Sequence, residues 1–321
     1  MNCNACVPGN RETELEINGD NLGIDEHDPI KYQMIKRGKK LFDQKLLYYG
    51  NYIKHKNIRQ IIGERNPTAN NITIPDDIIK THRDYTFLEP PIMFKNGEIY
   101  QGRWNIYSKR DGFGINISPN GEIYIGLWNN DNIGEYGAFF DNEGNYYKGN
   151  LVNGKGNGQG EMVIFNKIKY IGDFVDDIPN GKGVLENYLD GSIYEGNMVN
   201  GKKEGQGKIK FKDGTIYEGE FKDDQFNGNG SIKYANGRKY EGQFKDSKMD
   251  GHGTFTWEDG KKYEGNYYND KKQGFGKLMW DGDKYYEGNW FDNMQHGEGL
   301  YYYKGKTLKG QFRYGKIIMS N

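Results

Sequence analysis

The sequence predicts an all-β repeat fold: an elongated, single-layer, twisted antiparallel sheet of stacked β-hairpins, preceded by a short helical region. Three observations predict it. An aromatic-x-Gly-x-aromatic anchor, with Leu151 and Met198 in place of the second ring in two copies, recurs nine times at a spacing of 23 or 24 residues. Each anchor but the second, where Glu135 replaces the first glycine, leads to a Gly-x-Gly pair, and most copies close on Asp-Gly or Asn-Gly. The 321 residues hold 47 Gly and 26 Tyr, yet only 35% are hydrophobic and 15% are aromatic. A thick globular core is built from branched aliphatics at apolar fractions nearer half. Here rings must be buried against glycines in a thin layer, and so many rings exclude a disordered chain.

Taken in order, residues 1–30 carry seven acids against Arg11 and no apolar periodicity, which predicts a flexible acidic tail. Residues 31–65 reverse the sign, with ten bases facing only Asp43 and Glu64. Tyr32, Ile35, Phe42, Leu46, Tyr49 and Ile53 recur on one helical face. This predicts a basic amphipathic helix over about 31–49, broken or kinked at Gly50, with a further turn or two to about 62. Residues 66–93, with Pro67, Pro75 and the Pro90-Pro91 pair, read as an irregular connector.

The array spans 94–317. Its anchors are Tyr100-Gly102-Trp104, Tyr124-Gly126-Trp128, Tyr147-Gly149-Leu151, Tyr170-Gly172-Phe174, Tyr194-Gly196-Met198, Tyr217-Gly219-Phe221, Tyr240-Gly242-Phe244, Tyr263-Gly265-Tyr267 and Tyr286-Gly288-Trp290. A degraded tenth copy, Leu308-Gly310-Phe312, lies in the segment Lys304 to Ile317 expected to cap the C-terminal end. Residues at i, i+2 and i+4 share one face of a strand, so each anchor sends its rings to one side. The Gly-x-Gly pairs are expected beneath those rings on the neighbouring strand, as Gly205/Gly207, Gly228/Gly230, Gly251/Gly253, Gly274/Gly276 and Gly297/Gly299. Glycine in a strand marks close approach by another group. Ring pairs add about 0.5–1.5 kcal/mol each beyond area burial. The sequence further predicts an aromatic-lined groove, formed by Tyr194, Tyr217, Phe221, Tyr240, Phe244, Tyr263, Tyr267, Tyr286 and Trp290, as a partner-binding surface. Nine units at two strands each give roughly 85–90 Å of sheet.

These units resemble MORN repeats (membrane occupation and recognition nexus), whose core pattern is Tyr-x-Gly-x-Trp/Phe followed by Gly-x-Gly. The copy Tyr217 to Gly237 is a near-complete match. The resemblance covers about two-thirds of the chain and implies an elongated β-sheet. It also implies a role in cytoskeletal, ciliary or membrane-junction assemblies, self-association as a homodimer, and phosphoinositide binding. The first three copies depart most from the pattern. Some relatives append a catalytic domain after the repeats; this sequence ends soon after its last copy, so none is expected.

No constellation points to catalysis, metal or cofactor. The Gly-x-Gly pairs recur without a following helix or Lys-Ser/Thr, which makes them structural rather than phosphate loops. The five histidines are scattered without metal spacing. Cys3 and Cys6, the only cysteines, would leave zinc under-ligated; S-acylation and idle thiols are the competing readings. The basic residues Lys36, Arg37, Lys39, Lys40 and Lys45 suit contact with an anionic membrane surface or calmodulin. Tyr32 to Gly38 resembles the first half of an IQ motif, although Phe42 stands where a base is wanted. The third reading docks the apolar stripe of this segment on the first hairpins as a cap. A net charge of −1 gives no general pull toward nucleic acid. The chain has no membrane-spanning run and no secretory leader, so a cytoplasmic setting, associated with cytoskeleton, cilium or membrane surface, is expected. The sequence thus predicts a non-catalytic scaffold that binds a protein partner, with a peripheral membrane adaptor as the alternative.

Overall fold

The computed structural model describes residues 50–52, 87–88, 91–105 and 107–318. Alternation of side chains makes each anchor segment a strand. In Ile216–Lys222, Tyr217, Gly219 and Phe221 are buried while Glu218 and Lys222 are exposed, the period of two that a half-buried strand requires. Gln225–Lys233 folds back on it antiparallel, and the next anchor strand, Lys239–Lys245, pairs with that one in turn. From Ile92 to Ile318, 21 consecutive hairpin strands build one open antiparallel sheet. No helix occurs among the described residues.

The first edge differs from the sequence reading. Strand β1 (Gly50–Tyr52) pairs antiparallel with β3 (Ile92–Phe94), and β2 (Phe87–Leu88) pairs with β4 (Ile99–Trp104). β3 also pairs with β4, so β2 and β3 share one edge of it. Gly50–Tyr52, expected at a break between helical turns, is therefore strand, and the supposed connector supplies two more. A run of three residues is too short to show a strand period, and what holds it is the unpaired backbone of β3. Pro91 lacks the N–H a continuous strand would need. The helix expected over 31–49 and the tail before it lie outside the described residues.

Two kinds of turn alternate along the sheet. Within hairpins, both central residues have positive φ, as in Asp223-Asp224 (49°, 69°), Asp246-Ser247 (50°, 64°), Asn269-Asp270 (48°, 65°) and Asp292-Asn293 (49°, 68°). That is the backbone of a type I′ turn, whose twist suits the flanking strands, and Asn and Asp tolerate it. Between hairpins, Gly214, Gly237 and Gly260 take φ of 91°, 81° and 84°, as the Asp-Gly and Asn-Gly pairs predict.

One glycine from each strand pairs with one from the next, without interruption from Gly102 to Gly310. The anchor tyrosines lie across this row. A Cβ on Gly230 would sit 2.6 Å from the Tyr217 hydroxyl, and one on Gly219 would sit 2.5 Å from the Gly230 Cα.

The Gly-x-Gly pairs need a correction, because the sequence reading put both glycines of each pair beneath rings. Only the second lies there. Gly207, Gly230, Gly253, Gly276 and Gly299 sit under Tyr194, Tyr217, Tyr240, Tyr263 and Tyr286. None of these five has a positive φ, so it is the ring, not the backbone, that excludes a side chain. Gly205, Gly228, Gly251, Gly274 and Gly297 do the reverse. Their φ is positive, from 67° to 99°, and they face the side chains of Asn197, Glu220, Gln243, Asn266 and Asn289. The cause is a bulge: the register passes from Gly219↔Gly230 to Phe221↔Phe226, so three residues oppose Glu220 alone.

The core follows from these faces. Anchor rings and their neighbours form one cluster from Tyr170 to Phe312 and a second from Ile92 to Leu151. A third cluster, Ile99, Ile117, Ile123, Ile125, Ala138 and Phe140, alternates with Tyr100 and Tyr124 along its strands and so lies on the opposite, back face. At the C-terminal end Leu308 replaces the anchor tyrosine and is exposed. There Ile317 reaches over Gly310 instead.

Candidate functional site

The ring face is a ladder. The Tyr217 ring meets Phe221 of its own hairpin edge-on at 5.1 Å and Phe244 of the next at 5.2 Å. Tyr240 sits likewise between Phe244 and Tyr267, Tyr263 between Tyr267 and Trp290, and Tyr286 between Trp290 and Phe312. Each hydroxyl donates to the carbonyl three residues on: Tyr217 to Glu220 at 2.7 Å, Tyr194 to Asn197 at 2.7 Å, Tyr240 to Gln243 at 3.0 Å. That carbonyl belongs to the residue facing the bulge, whose ladder partner is displaced. Burial pushes the phenols up, to about 12 at Tyr170, Tyr194 and Tyr286.

This changes the expected groove. Tyr217, Tyr240, Tyr263 and Tyr286 are 0% exposed, and Tyr194, Phe221, Phe244, Tyr267 and Trp290 no more than 6%. The structure brings all nine predicted groove residues together, but as the filling of the groove rather than its open wall. Gly207, Gly253, Gly276 and Gly299, with Gly230, form the floor on which that filling rests. The sequence showed which side chains share a face. It did not show that a second tier covers them.

That tier is supplied by the residue pairing across the far end of each bulge. It is Arg110, Ile133, Gly156, Pro179, Lys203, Phe226, Met249, Lys272 and Gln295 in successive hairpins. All but Gly156 are half-buried. Phe226 stacks flat on Tyr217 at 3.8 Å. The Lys272 ammonium lies 5.3–5.5 Å from the centroids of Tyr263, Trp257 and Trp290, and desolvation, with the nearby Lys261 charge, lowers its pKa. Arg110 stands 3.9 Å over Trp128. The rings beneath are nearly constant, while the covering residue varies among cation, aliphatic, ring and amide. Beside Ile133 the sheet borders a cavity of about 950 Å³ whose walls include Tyr124, Trp128, Phe139, Tyr147 and Met162.

Sequence reasoning missed what fixes these covering residues. Their backbone N–H groups donate to the second residue of the next hairpin's turn: Met249 to Asp270 at 2.8 Å, Lys272 to Asn293 at 2.8 Å, Lys203 to Asp224 at 3.0 Å, Phe226 to Ser247 at 3.1 Å. The turn N–H returns a bond to the same residue's carbonyl, as from Asp270 to Met249 at 2.9 Å. The signal was present as Asn/Asp-rich pairs recurring at the repeat period. From Lys148 onward the opposite face is largely charged, with an exposed pair, Lys208–Glu218 at 3.3 Å, and a half-buried one, Lys277–Glu287 at 3.0 Å; the exposed kind adds little stability. No cluster of metal-binding side chains occurs among the described residues. Cys3, Cys6, Lys36, Arg37, Lys39, Lys40 and Lys45 lie outside them, as does the IQ-like segment.

A family model for the MORN repeat matches seven stretches: 147–166, 170–186, 194–216, 217–237, 240–262, 263–282 and 286–307. The chain belongs to the MORN-repeat family. The copies anchored at Tyr100 and Tyr124 lie outside the matched stretches, yet they keep the same glycine pairing and the same tyrosine–tryptophan contacts, at 5.0 and 5.2 Å. MORN repeats are a non-enzymatic repeat family. No curated protein matches the chain. Among solved structures, it is similar to the TCP domain of Drosophila melanogaster SAS-4 in complex with a proline-rich motif of Ana2: 10% identity, 68% of this chain and 97% of that one, TM-score 0.29. It is also similar to a mutant TCP10 domain of Danio rerio CPAP: 11% identity, 62% and 92%, TM-score 0.28.

Proposed function

We propose that the chain is a non-catalytic scaffold that holds a protein partner along its ring face, and that the partner reads the covering tier rather than the rings. The observation behind this is the contrast between the two tiers. The buried rings and glycines repeat because the sheet needs them. The residues above them differ from hairpin to hairpin, at half-buried positions spaced one repeat apart. Such a surface suits an extended segment or a helix laid along it. On this reading the partner belongs to a cytoskeletal, ciliary or membrane-associated assembly, in keeping with the family resemblance.

The test exploits natural variation. Lys and Arg already occupy the covering position in three hairpins, so Phe226→Lys and Met249→Lys are compatible with the fold. Proximity labelling in the native cell should then lose a partner seen with the wild-type chain, while near-ultraviolet circular dichroism of the purified variant is unchanged. An unaltered labelling profile would remove the ring face from consideration.

The charge reversal in 31–65 favours a second reading, attachment to an anionic membrane through Lys36, Arg37, Lys39, Lys40 and Lys45, with acylated Cys3 or Cys6 as a further anchor. Co-sedimentation with anionic vesicles, with and without residues 1–65, separates the two. Loss of binding with the deletion supports an N-terminal membrane contact, and no binding by either chain leaves the scaffold alone.

A further inference from the structure

The back face changes character along the sheet. From Lys148 onward its positions are held by residues such as Glu161, Glu195, Lys208, Glu218 and Glu264. In the first two hairpins the same rows hold Ile99, Ile117, Ile123 and Phe140, and beside them Ile115, Ile125 and Ala138. Their burial is not what one sheet layer gives. Ile123 is 1% exposed and Ile125 5%, whereas Ile193 and Ile171, in the same two rows further along, are 46% and 44% exposed. One residue type, on one face, at one register position, differs by nearly half its surface. A side chain buried on the outer face of a single layer needs something laid over it.

We propose that residues 53–86 of this chain pack across the back face of the first two hairpins as a second layer. The chain enters this segment from β1 and leaves it into β2. Both strands are paired at the sheet's first edge, next to Ile99 and Ile117. The 34 residues between carry eight isoleucines, at 53, 58, 61, 62, 72, 74, 78 and 79, enough apolar surface to match the patch. Its bases, such as Lys54, Lys56 and Arg59, would stay at the margin, where long side chains keep their charge in water. The consequence is an address held in a fixed place. The basic residues before 50 would project from one end of the platform at a set orientation, rather than from a free tether.

Limited trypsin digestion of the full chain, read by mass spectrometry, tests this. Cutting after Lys54, Lys56, Arg59, Arg65, Lys80 and Arg83 should be slow in the wild type. It should accelerate about tenfold or more when the layer is detached. Ile125→Lys detaches it from the sheet side and the double change Ile61→Asp with Ile62→Asp from the segment side, the latter without touching the array. Ile193→Lys, on the same face but beyond the patch, should leave the cutting rate unchanged. Retained near-ultraviolet circular dichroism shows that the ring ladder is intact in each variant. Equal cutting of wild type and both detaching variants would overturn the proposal. So would protection of the wild type that disappears on dilution together with a dimer in sedimentation velocity, since a second copy would then be what covers the face.

Discussion

At the scale of single residues, Gly230 and Gly260 have the same side chain and opposite reasons for it. Gly230 has ordinary φ and no room, because the Tyr217 hydroxyl lies 2.6 Å from where a Cβ would be. Gly260 has φ +84° and open space around it. Gly230→Ala should cost about 1–3 kcal/mol through overpacking and should perturb the near-ultraviolet spectrum, because the ring has to move. Gly260→Ala should cost about 1–2 kcal/mol through backbone strain alone and leave that spectrum untouched. Equal spectra for both variants would contradict the assignment. Here the limit of sequence reading is visible. In Gly228-Asn229-Gly230, simple alternation puts both glycines on one face doing one thing. A bulge separates them, and a bulge inserts backbone without leaving a residue type that names it.

Among elements, the turn is more than a reversal, because each one fastens the hairpin before it. Asp270 accepts from Met249 N–H at 2.8 Å and itself has φ +65°. Three substitutions divide the two contributions. Asp270→Asn should be close to neutral, since Asn293 makes the same bond to Lys272. Asp270→Gly keeps the backbone and loses the bond, for about 1 kcal/mol. Asp270→Ala loses the bond and adds the cost of left-handed backbone, about 1–2 kcal/mol more. Denaturant midpoints should fall in that order, and a neutral Ala variant would show the fastening to be idle. The hairpins themselves were legible because Tyr217, Gly219 and Phe221 obey a period of two and repeat every 23 residues. The covering of the rings was not: Phe226 lies nine residues from Tyr217, beyond the turn, and only the register puts one ring on the other. β1 was hidden for another reason, since its partner Ile92–Phe94 is some forty residues away in sequence.

For the whole molecule, the ladder couples every hairpin to the next, so titration of its phenols is a property of the array. The folded state holds these protons more tightly than the unfolded chain, with Tyr170, Tyr194 and Tyr286 raised from 10.0 to about 12. Stability from this source is complete below pH 10 and is lost as pH rises from 10 through 12. Tyrosinate absorbance from the ladder should therefore emerge together with loss of near-ultraviolet dichroism in that window. Ionisation that ran ahead of unfolding would mean the rings are open to water. The strands lie crosswise, so their hydrogen bonds point along the long axis. Tension between the two ends would act on successive strand pairs in series, and the weakest would open first. The molecule should lengthen in steps, each releasing one repeat, or roughly 80 Å of chain, so that under pull it behaves less like a rod than like a row of links failing one by one.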